Sequence, residues 1–192
     1  RLPHDVLAQR AEDNIRIIAA DIDLEGVEKL ADEISGNIYP INFDVSNPAE
    51  VEDALGGEIR KNVGTVDILV NNAGILSTNK AMTTSAEEWI RLMHNNLDSA
   101  FFLSKAVIPA MKEKRWGRIV NISSLAAKTG GITAGTAYTV SKGALISLTF
   151  SLAAELAAFG ITVNGIAPAY VKTPMVTEQL TEEQRQGLLK KI

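Results

Sequence analysis

A tyrosine and a lysine four positions apart are the residues of this chain best suited to proton transfer. They are Tyr138 and Lys142, and on a helix this spacing places both side chains on one face. A free tyrosine has a pKa of about 10 and is a poor base at neutral pH. A lysine cation at about 4 Å favours the phenolate by about 4 kcal/mol at an effective dielectric of 20. We therefore expect Lys142 to lower the pKa of Tyr138 and make it a usable acid/base.

A serine that follows an apolar run is the third candidate. Ser124 ends the stretch Asn121-Ile122-Ser123-Ser124, which is typical of a strand, and ligands bind at the carboxyl-terminal edge of such strands. Its hydroxyl would orient a substrate carbonyl or alcohol. A tyrosine and a lysine at helical spacing also occur as an ordinary surface pair. The position of this pair after Ser-Ser and before Asn164-Gly165-Ile166-Ala167-Pro168 favours catalysis.

The composition is that of a globular chain with one core. Its 192 residues, 46% hydrophobic and 22% charged, are too few for two ordinary domains. A net charge of -4 without a basic stripe gives no indication of nucleic-acid or membrane binding, and no apolar run looks long enough to span a bilayer. The absence of cysteine fits a reducing cytoplasm. With only His4 and His94, we expect neither a metal site nor a His-based triad.

Short apolar runs alternate with longer helical stretches along the chain. Strands are predicted at residues 15–20, 38–43, 66–70, 119–122 and 161–166. Helices are predicted at residues 25–34, from Asn47-Pro48, from Ser85 with Glu88 as its capping box, at 137–159, and from Thr181 with Gln184. Apolar strands separated by helices indicate α/β, a doubly wound parallel sheet (Rossmann fold), as a single domain over residues 1–192.

The beginning of the chain departs from that fold. A dinucleotide-binding sheet opens with a strand, a glycine-rich turn and a helix, whereas residues 6–11 here look like the end of that first helix. The first strand is central in the order 3-2-1-4-5-6, so its loss would leave two strands unpaired. The chain also ends within a predicted helix. We expect residues to be missing from this sequence at both ends.

Five motifs carry a resemblance to a known family. They are Asn71-Asn72-Ala73-Gly74, Asn95-Asn96-Leu97, Asn121-Ile122-Ser123-Ser124, the Tyr138 to Lys142 motif, and Ala167-Pro168-Ala169-Tyr170-Val171-Lys172-Thr173. Each is weak alone, but in this order and spacing residues 15–173 resemble the short-chain dehydrogenase/reductase family. The resemblance implies hydride transfer between a nicotinamide cofactor and a secondary alcohol or ketone. A 3-oxoacyl thioester and a sugar or polyol are both reasonable small-molecule substrates.

The resemblance also implies roles for the matching residues. Asn96 resembles the catalytic asparagine, which holds a water linking the lysine to solvent. Ser124 resembles the serine that polarises the substrate, Tyr138 the acid/base, and Lys142 the electrostatic partner of the tyrosine and a ribose ligand. The implied cofactor contacts are Asn72, Ala73 and Gly74 beside the ribose, Asp44 and Val45 at the adenine, and Pro168, Val171 and Thr173 at the nicotinamide.

Two positions depart from the family pattern. The usual Pro-Gly is Pro168-Ala169, which adds a methyl group near the nicotinamide. Ser124 and Tyr138 are fourteen positions apart, one more than we expect for the family. The extra residue is expected in the glycine-rich stretch 129–135. If it shifted the end of the strand instead, Ser123 would have to be considered in place of Ser124.

An acidic residue bears on the choice of cofactor. Asp21, itself followed by Ile22, comes directly after the first predicted strand, where a carboxylate can accept hydrogen bonds from an adenosine ribose. The neighbouring Asp23 better suits a charge at a helix N-terminus. Because no lysine or arginine stands beside Asp21 to neutralise a 2′-phosphate, we expect NAD to be used, with NADP less favoured.

The helix predicted at residues 137–159 is apolar almost all round, which indicates burial on more than one side. One side would cover the sheet and the other would meet a second subunit, since homodimers or homotetramers built on this helix are usual in the family. Phe101, Phe102 and Leu103 are expected in a core or an interface. Substrate choice is expected after Thr173, at Met175, Val176 and Leu180. The alternative function is a non-catalytic binding or scaffold protein on the same fold.

Overall fold

The computed structural model describes residues 15–34, 37–169, 171 and 181–189. The chain forms two compact units, residues 1–65 and residues 66–192, and each is described by itself. The single domain expected over residues 1–192 stays a prediction.

The first unit contains a two-stranded parallel sheet. Strand β1 (Ile17–Asp21) pairs with β2 (Ile38–Asn42), and helix α1 (Leu24–Glu33) connects them. Helix α1 begins where it does because the side chain of Asp23 accepts a hydrogen bond from the backbone N–H of Gly26 at 3.0 Å. Asp23 therefore has the helix N-terminal position that we expected for it.

A helical stretch with a π-helical turn completes the first unit. It comprises α2 (Pro48–Asp53), the π turn (Ala54–Glu58) and α3 (Ile59–Asn62). Asn47 caps it by accepting from the backbone N–H of Ala49 at 3.1 Å, and Pro48 is the first helical residue. This helix start is confirmed; the π turn is not visible in the sequence pattern.

The second unit contains a three-stranded parallel sheet in the order β3-β4-β5. The strands are β3 (Ile68–Asn71), β4 (Gly117–Ile122) and β5 (Ile161–Ile166). The helices are α4 (Ala86–Met93), a second π turn (His94–Asp98), α5 (Ser99–Lys114), α6 (Ala126–Thr129), α7 (Thr136–Leu156) with a 3₁₀ turn (Ala157–Phe159), and α8 (Glu182–Leu189). The pairings within both units are those that the doubly wound order predicts for these five strands.

The core of the second unit lies between the sheet and its helices. Its fully buried apolar side chains come from α4, α5, β4, α7 and β5, and include Leu92, Met111, Ile119, Leu145, Leu156 and Ile161. Helix α7 packs along β5, which brings the predicted proton-transfer residues to the carboxyl-terminal edge of the sheet. The α/β fold class expected from the sequence is confirmed by these parallel strands and their helical connections.

Helix α7 corrects one expectation. Together with its 3₁₀ turn, residues 136–159, it is long and apolar enough to span a membrane by length and composition. The core helix of a soluble protein passes the same test. In this chain α7 packs on β5 and buries Ser141 and Lys142 as well as apolar residues.

Candidate active site

The structure brings Ser124 and Tyr138 together. Ser124 follows β4, and Tyr138 lies in the first turn of α7. The Ser124 hydroxyl lies close enough to the Tyr138 phenol to lower the pKa of the phenol by hydrogen bonding. The Ser124 Oγ also accepts from the backbone N–H of Ala126 at 3.2 Å, which fixes its position at the start of α6. Two of the predicted catalytic residues are therefore in contact.

The neighbouring Ser123 has a different environment. It is 5% exposed, and its Oγ donates to the backbone carbonyl of Lys142 at 2.8 Å. Its backbone N–H donates to the carbonyl of Ile166 at 2.7 Å, so the end of β4 stays paired with β5. This geometry favours Ser124 as the site serine, because the Ser123 hydroxyl is already used inside the protein. The chain turns further on, between Ser124 and Tyr138, at Gly130 and Gly131, whose φ angles are 75° and 71°.

Lys142 is buried and directed at the sheet. It is 4% exposed, and its Nζ donates to the backbone carbonyl of Ile122 at 2.9 Å. Burial lowers the pKa of Lys142 from 10.5 to about 8, because the charged ammonium loses solvation.

The pKa of Tyr138 differs from the expectation. Burial raises its pKa, and the hydrogen bond with Ser124 opposes this only in part. We expected Lys142 to lower the pKa of Tyr138, and for this structure that was wrong. The physical reason is that loss of solvation outweighs the other influences on the phenolate, while the ammonium is bonded to the Ile122 carbonyl.

Asn96 lies in the second π turn and is 1% exposed. Its Oδ1 accepts from the backbone N–H of Ile75 at 2.7 Å, and its Nδ2 donates to the Ile75 carbonyl and to Ser141 Oγ, each at 3.0 Å. The Ser141 Oγ in turn donates to the Tyr138 carbonyl at 2.8 Å. Asn96 thus joins the loop after β3 to helix α7, and its implied water-holding role stays a prediction. Isolated π turns are frequent at functional sites.

Gly74 lies against two of these residues. A Cβ placed on it would be 3.0 Å from Asn96 Oδ1 and 3.1 Å from Lys142 Nζ. The backbone of the loop therefore approaches both side chains more closely than a larger residue would allow. Asn72 and Ala73, which precede it, are exposed.

A buried chain of polar side chains lies in the same unit and was not foreseen. Asn71 Nδ2 donates to Asn121 Oδ1 at 2.8 Å and to Ser104 Oγ at 3.3 Å. Asn121 Nδ2 donates to Thr149 Oγ1 at 2.9 Å, and this hydroxyl donates to the Leu145 carbonyl at 2.8 Å. One feature of the sequence could have indicated this chain of hydrogen bonds: an asparagine follows the apolar residues of both β3 and β4. These two residues, Asn71 and Asn121, are register partners in the sheet.

The predicted adenosine contacts belong to the first unit. Asp21 is exposed, and its Oδ1 accepts from the backbone N–H of Asp23 at 3.1 Å; Ile22 is 73% exposed. Asp44 accepts from the backbone N–H and the Oγ of Ser46 at 2.8 and 2.7 Å, and Val45 is half-buried. Their roles with a cofactor stay predictions.

The structure describes two of the three residues predicted to contact the nicotinamide, Pro168 and Val171. Pro168 accepts from the backbone N–H of Leu125 at 2.8 Å, which ties the segment after β5 to that after β4. Val171 is 53% exposed. Thr173, together with Met175, Val176 and Leu180, lies outside the described residues.

Comparison with known proteins identifies relatives of this arrangement. Residues 4–184 match the family described as short chain dehydrogenase. The chain is 40% identical over 178 residues to the 3-oxoacyl-(acyl-carrier-protein) reductase of Escherichia coli (strain K12), covering 92% of this chain and 71% of that protein. It is 36% identical over 166 residues to the D-beta-hydroxybutyrate dehydrogenase of Rhizobium meliloti (strain 1021), covering 83% of this chain and 62% of that protein.

A solved structure has the same fold. It is a short-chain type dehydrogenase/reductase from Mycobacterium marinum, with a TM-score of 0.84 and 30% identity, covering 91% of this chain and 70% of that one. These matches favour an enzyme over the scaffold alternative. The chain therefore belongs to the short-chain dehydrogenase/reductase family of nicotinamide-dependent oxidoreductases, which act on CH–OH groups.

Proposed function

We propose that the protein reduces the ketone of a 3-oxoacyl thioester, with Tyr138 as the proton donor. The approach of the Ser124 hydroxyl to the Tyr138 phenol carries the proposal, because a substrate oxygen placed beside both would meet two O–H groups. The names of two relatives support the substrate class. One is a 3-oxoacyl reductase and the other a β-hydroxybutyrate dehydrogenase, so both names point to chemistry at the third carbon of an acyl chain.

The residues beside Lys142 fit the ribose of a nicotinamide cofactor. An ammonium has three N–H donors, and the bond to the Ile122 carbonyl uses one of them. The missing Cβ of Gly74 leaves the backbone close to Lys142 Nζ, and the exposed Asn72 and Ala73 add polar backbone at the same edge. When bound, the cofactor supplies the hydride.

The raised pKa of Tyr138 suits the direction of reduction. At neutral pH its hydroxyl is protonated and can donate to the oxygen of a ketone that is becoming an alkoxide. The Ser124 hydroxyl donates to the same oxygen and stabilises its developing charge. Lys142, one helical turn along α7, is protonated below about pH 8, so its charge would oppose, without outweighing, the cost of burying the phenolate left on Tyr138.

We propose NAD as the preferred cofactor. Asp21 is exposed at the end of β1, and beyond the bond that its Oδ1 accepts from Asp23 its carboxylate has further lone pairs for ribose hydroxyls and would repel a 2′-phosphate. The neighbouring Asp23 is occupied as the cap of α1, which leaves Asp21 as the better candidate.

We also propose that helix α7 meets a second copy of the chain. Its inner face buries Leu145 and Leu152, while Val140 and Phe150 on the same helix are 41% and 72% exposed. Large exposed apolar side chains on a long helix suit a subunit interface. A homodimer or homotetramer would cover them.

Substitution of Tyr138 by Phe tests the proposed reaction. The substrate is an acetoacetyl thioester, and the readout is the absorbance of the reduced cofactor. We expect kcat to fall by about a hundredfold or more, as for loss of a general acid, with cofactor binding unchanged. Tyr39→Phe is the matched control, because it removes the hydroxyl of a surface tyrosine that donates to Glu58.

Near-normal turnover by folded Tyr138→Phe would remove the tyrosine from the reaction. Oxidation of sugars or polyols by the wild type, with acyl thioesters inert, would instead replace the proposed substrate class and leave the chemistry standing.

A further inference from the structure

The start of helix α7 is held by a segment that precedes α4. We name residues 77–80 the bridging segment. The backbone N–H of Gly135 donates to the Ser77 carbonyl at 2.6 Å, and that of Thr136 donates to the Asn79 carbonyl at 2.9 Å. Gly135, at the cap position of α7, makes no side-chain capping bond. The bridging segment therefore supplies acceptors for N–H groups that a helix start leaves unsatisfied.

Lys80 fastens the same segment to the loop before α7. Its Nζ donates to the carbonyls of Gly131 and Ala134, each at 2.7 Å. Both bonds are charge-assisted and therefore stronger than bonds between neutral groups. They span residues 130–135, the loop that connects the helix after Ser124 to the helix carrying Tyr138.

The far side of the bridging segment is anchored on α4. The carboxylate of Glu88 accepts from Ser77 Oγ and, at 2.8 Å, from Asn79 Nδ2. These two hydrogen bonds hold the pKa of Glu88 below its usual value. The segment is thus bonded to α4 on one side and to α7 on the other.

The loop fits the bridging segment closely. A Cβ on Gly135 would lie 2.5 Å from the Asn79 carbonyl oxygen and 2.8 Å from that of Ser77. Gly131 has a left-handed φ of 71°, which glycine adopts without strain. Tyr138 comes three residues after Gly135, so a shift of this contact moves the phenol relative to Ser124.

We propose that Lys80 is a positioning residue for proton transfer: its two bonds to residues 131 and 134 fix the first turn of α7 and hold Tyr138 against Ser124. The proposal rests on the proposed function for its kinetic consequence. Its structural consequence, a fixed loop and helix start, does not depend on the substrate.

The kinetic test uses Lys80→Met, which keeps most of the stem and removes the donors, and Lys80→Arg, which keeps charge and donors. Lys128→Met is the control, because Lys128 is exposed on α6 just before this loop and has no side-chain hydrogen bond or ion pair within the described ranges. We expect kcat of Lys80→Met to fall roughly tenfold, since small misplacements of reacting groups cost that much or more. The KM for cofactor should be unchanged, and Lys80→Arg should recover most of kcat.

The kinetic isotope effect with 4-deuterated reduced cofactor separates positioning from stability. Slower chemistry in Lys80→Met should raise it, whereas a merely less stable but correctly arranged protein would leave it unchanged. Unaltered kcat in Lys80→Met, or an equal loss in Lys128→Met, would overturn the proposal.

A second measurement needs no activity. Amide hydrogen exchange at Gly135 and Thr136 should be about tenfold faster in Lys80→Met, while exchange in the buried middle of α7 stays the same. If the wild type reduced no ketone but this exchange increased, the proposed function would fail and the role of Lys80 in fixing the helix start would stand. Unchanged exchange would reject that role whatever the activity.

Discussion

The two units of the chain place their polar side chains differently. Among the described residues, every buried polar or charged residue belongs to the second unit, namely Asn71, Ser77, Asn96, Ser99, Ser104, Asn121, Ser123, Ser141, Lys142 and Thr149. In the first unit, comparable bonds such as Tyr39 to Glu58 at 2.6 Å lie at the surface. Burying a polar group is costly unless it is hydrogen-bonded, so the stability of the second unit depends on its internal hydrogen bonds more than that of the first.

This difference predicts how substitutions should behave. In the second unit, removal of one polar group leaves a buried partner unsatisfied, so stability or activity should change strongly. In the first unit, water can replace a lost hydrogen-bond partner. Substitutions there should therefore change stability little and affect only the choice of ligand.

The largest effect is expected for Ser124→Ala. Loss of a hydroxyl that stabilises developing negative charge should lower kcat by about 10²- to 10³-fold, equivalent to about 2.7–4 kcal/mol. Ser123→Ala is the contrasting variant, since its hydroxyl bonds the Lys142 carbonyl. It should lower the melting temperature more than Ser124→Ala while keeping more activity. If Ser123→Ala lost more activity than Ser124→Ala in steady-state assays, Ser123 would be the site serine in place of Ser124.

Lys142→Met tests the cost of a buried charge. An unfolded lysine titrates at about 10.5, whereas Lys142 in the folded protein titrates at about 8. Between these values the unfolded state binds the extra proton, so the contribution of Lys142 to the free energy of unfolding rises with pH. Below pH 8 the charge destabilises the fold by up to about 3 kcal/mol.

We therefore expect Lys142→Met to be inactive but more stable than the wild type at pH 7, with a difference that shrinks towards pH 10. Urea unfolding at several pH values measures it. The raised pKa of Tyr138 makes the free energy of unfolding fall as the pH rises above 10. This contribution cancels in the difference between the two proteins, because both contain that tyrosine. A difference independent of pH would show that Lys142 does not titrate as described.

Thr149→Val probes the buried polar chain. The change is nearly isosteric and removes the acceptor for Asn121 Nδ2, so we expect a loss of about 1–2 kcal/mol in the free energy of unfolding. Tyr39→Phe removes two surface bonds, with Glu58 and Asn62, and should lower the free energy of unfolding by less than Thr149→Val does. Equal losses in chemical denaturation would contradict the difference between the units.

Asp21→Ala should have the smallest effect. Because Asp21 is exposed, its repulsion of a 2′-phosphate is screened by water and is about 1 kcal/mol, or roughly fivefold in affinity. The ratio of kcat/KM for NADP to that for NAD should rise by about this factor. Asp23→Ala, which removes the cap of α1, should leave the ratio unchanged. No shift in Asp21→Ala would remove this carboxylate from the cofactor site.

The sequence predicted the regular elements and the place of Ser124 at the carboxyl-terminal end of β4 well, because these follow from apolar periodicity and from motif order. It did not predict the two hydrogen bonds of Lys80, whose partners are backbone carbonyls that any residue possesses. The direction of the pKa shift of Tyr138 was also missed. It depends on burial, and the orientation of Lys142 Nζ towards Ile122 is a tertiary feature that spacing does not encode.

The second π turn has a consequence for deletions. Each residue of an α-helix advances the chain by about 100°, and a π turn holds one residue more than a regular turn. Deleting one residue from His94–Asp98 would let the helix run regularly through the same rotation, so the sixteen residues of α5 would keep their facing and Ser104 and Val107 would stay in the core. The bonds of buried Asn96 to Ile75 and Ser141 would be lost, because the turn that presents this side chain would be gone. The π turn Ala54–Glu58 carries no buried polar group, so the first unit should tolerate the same deletion better than the second.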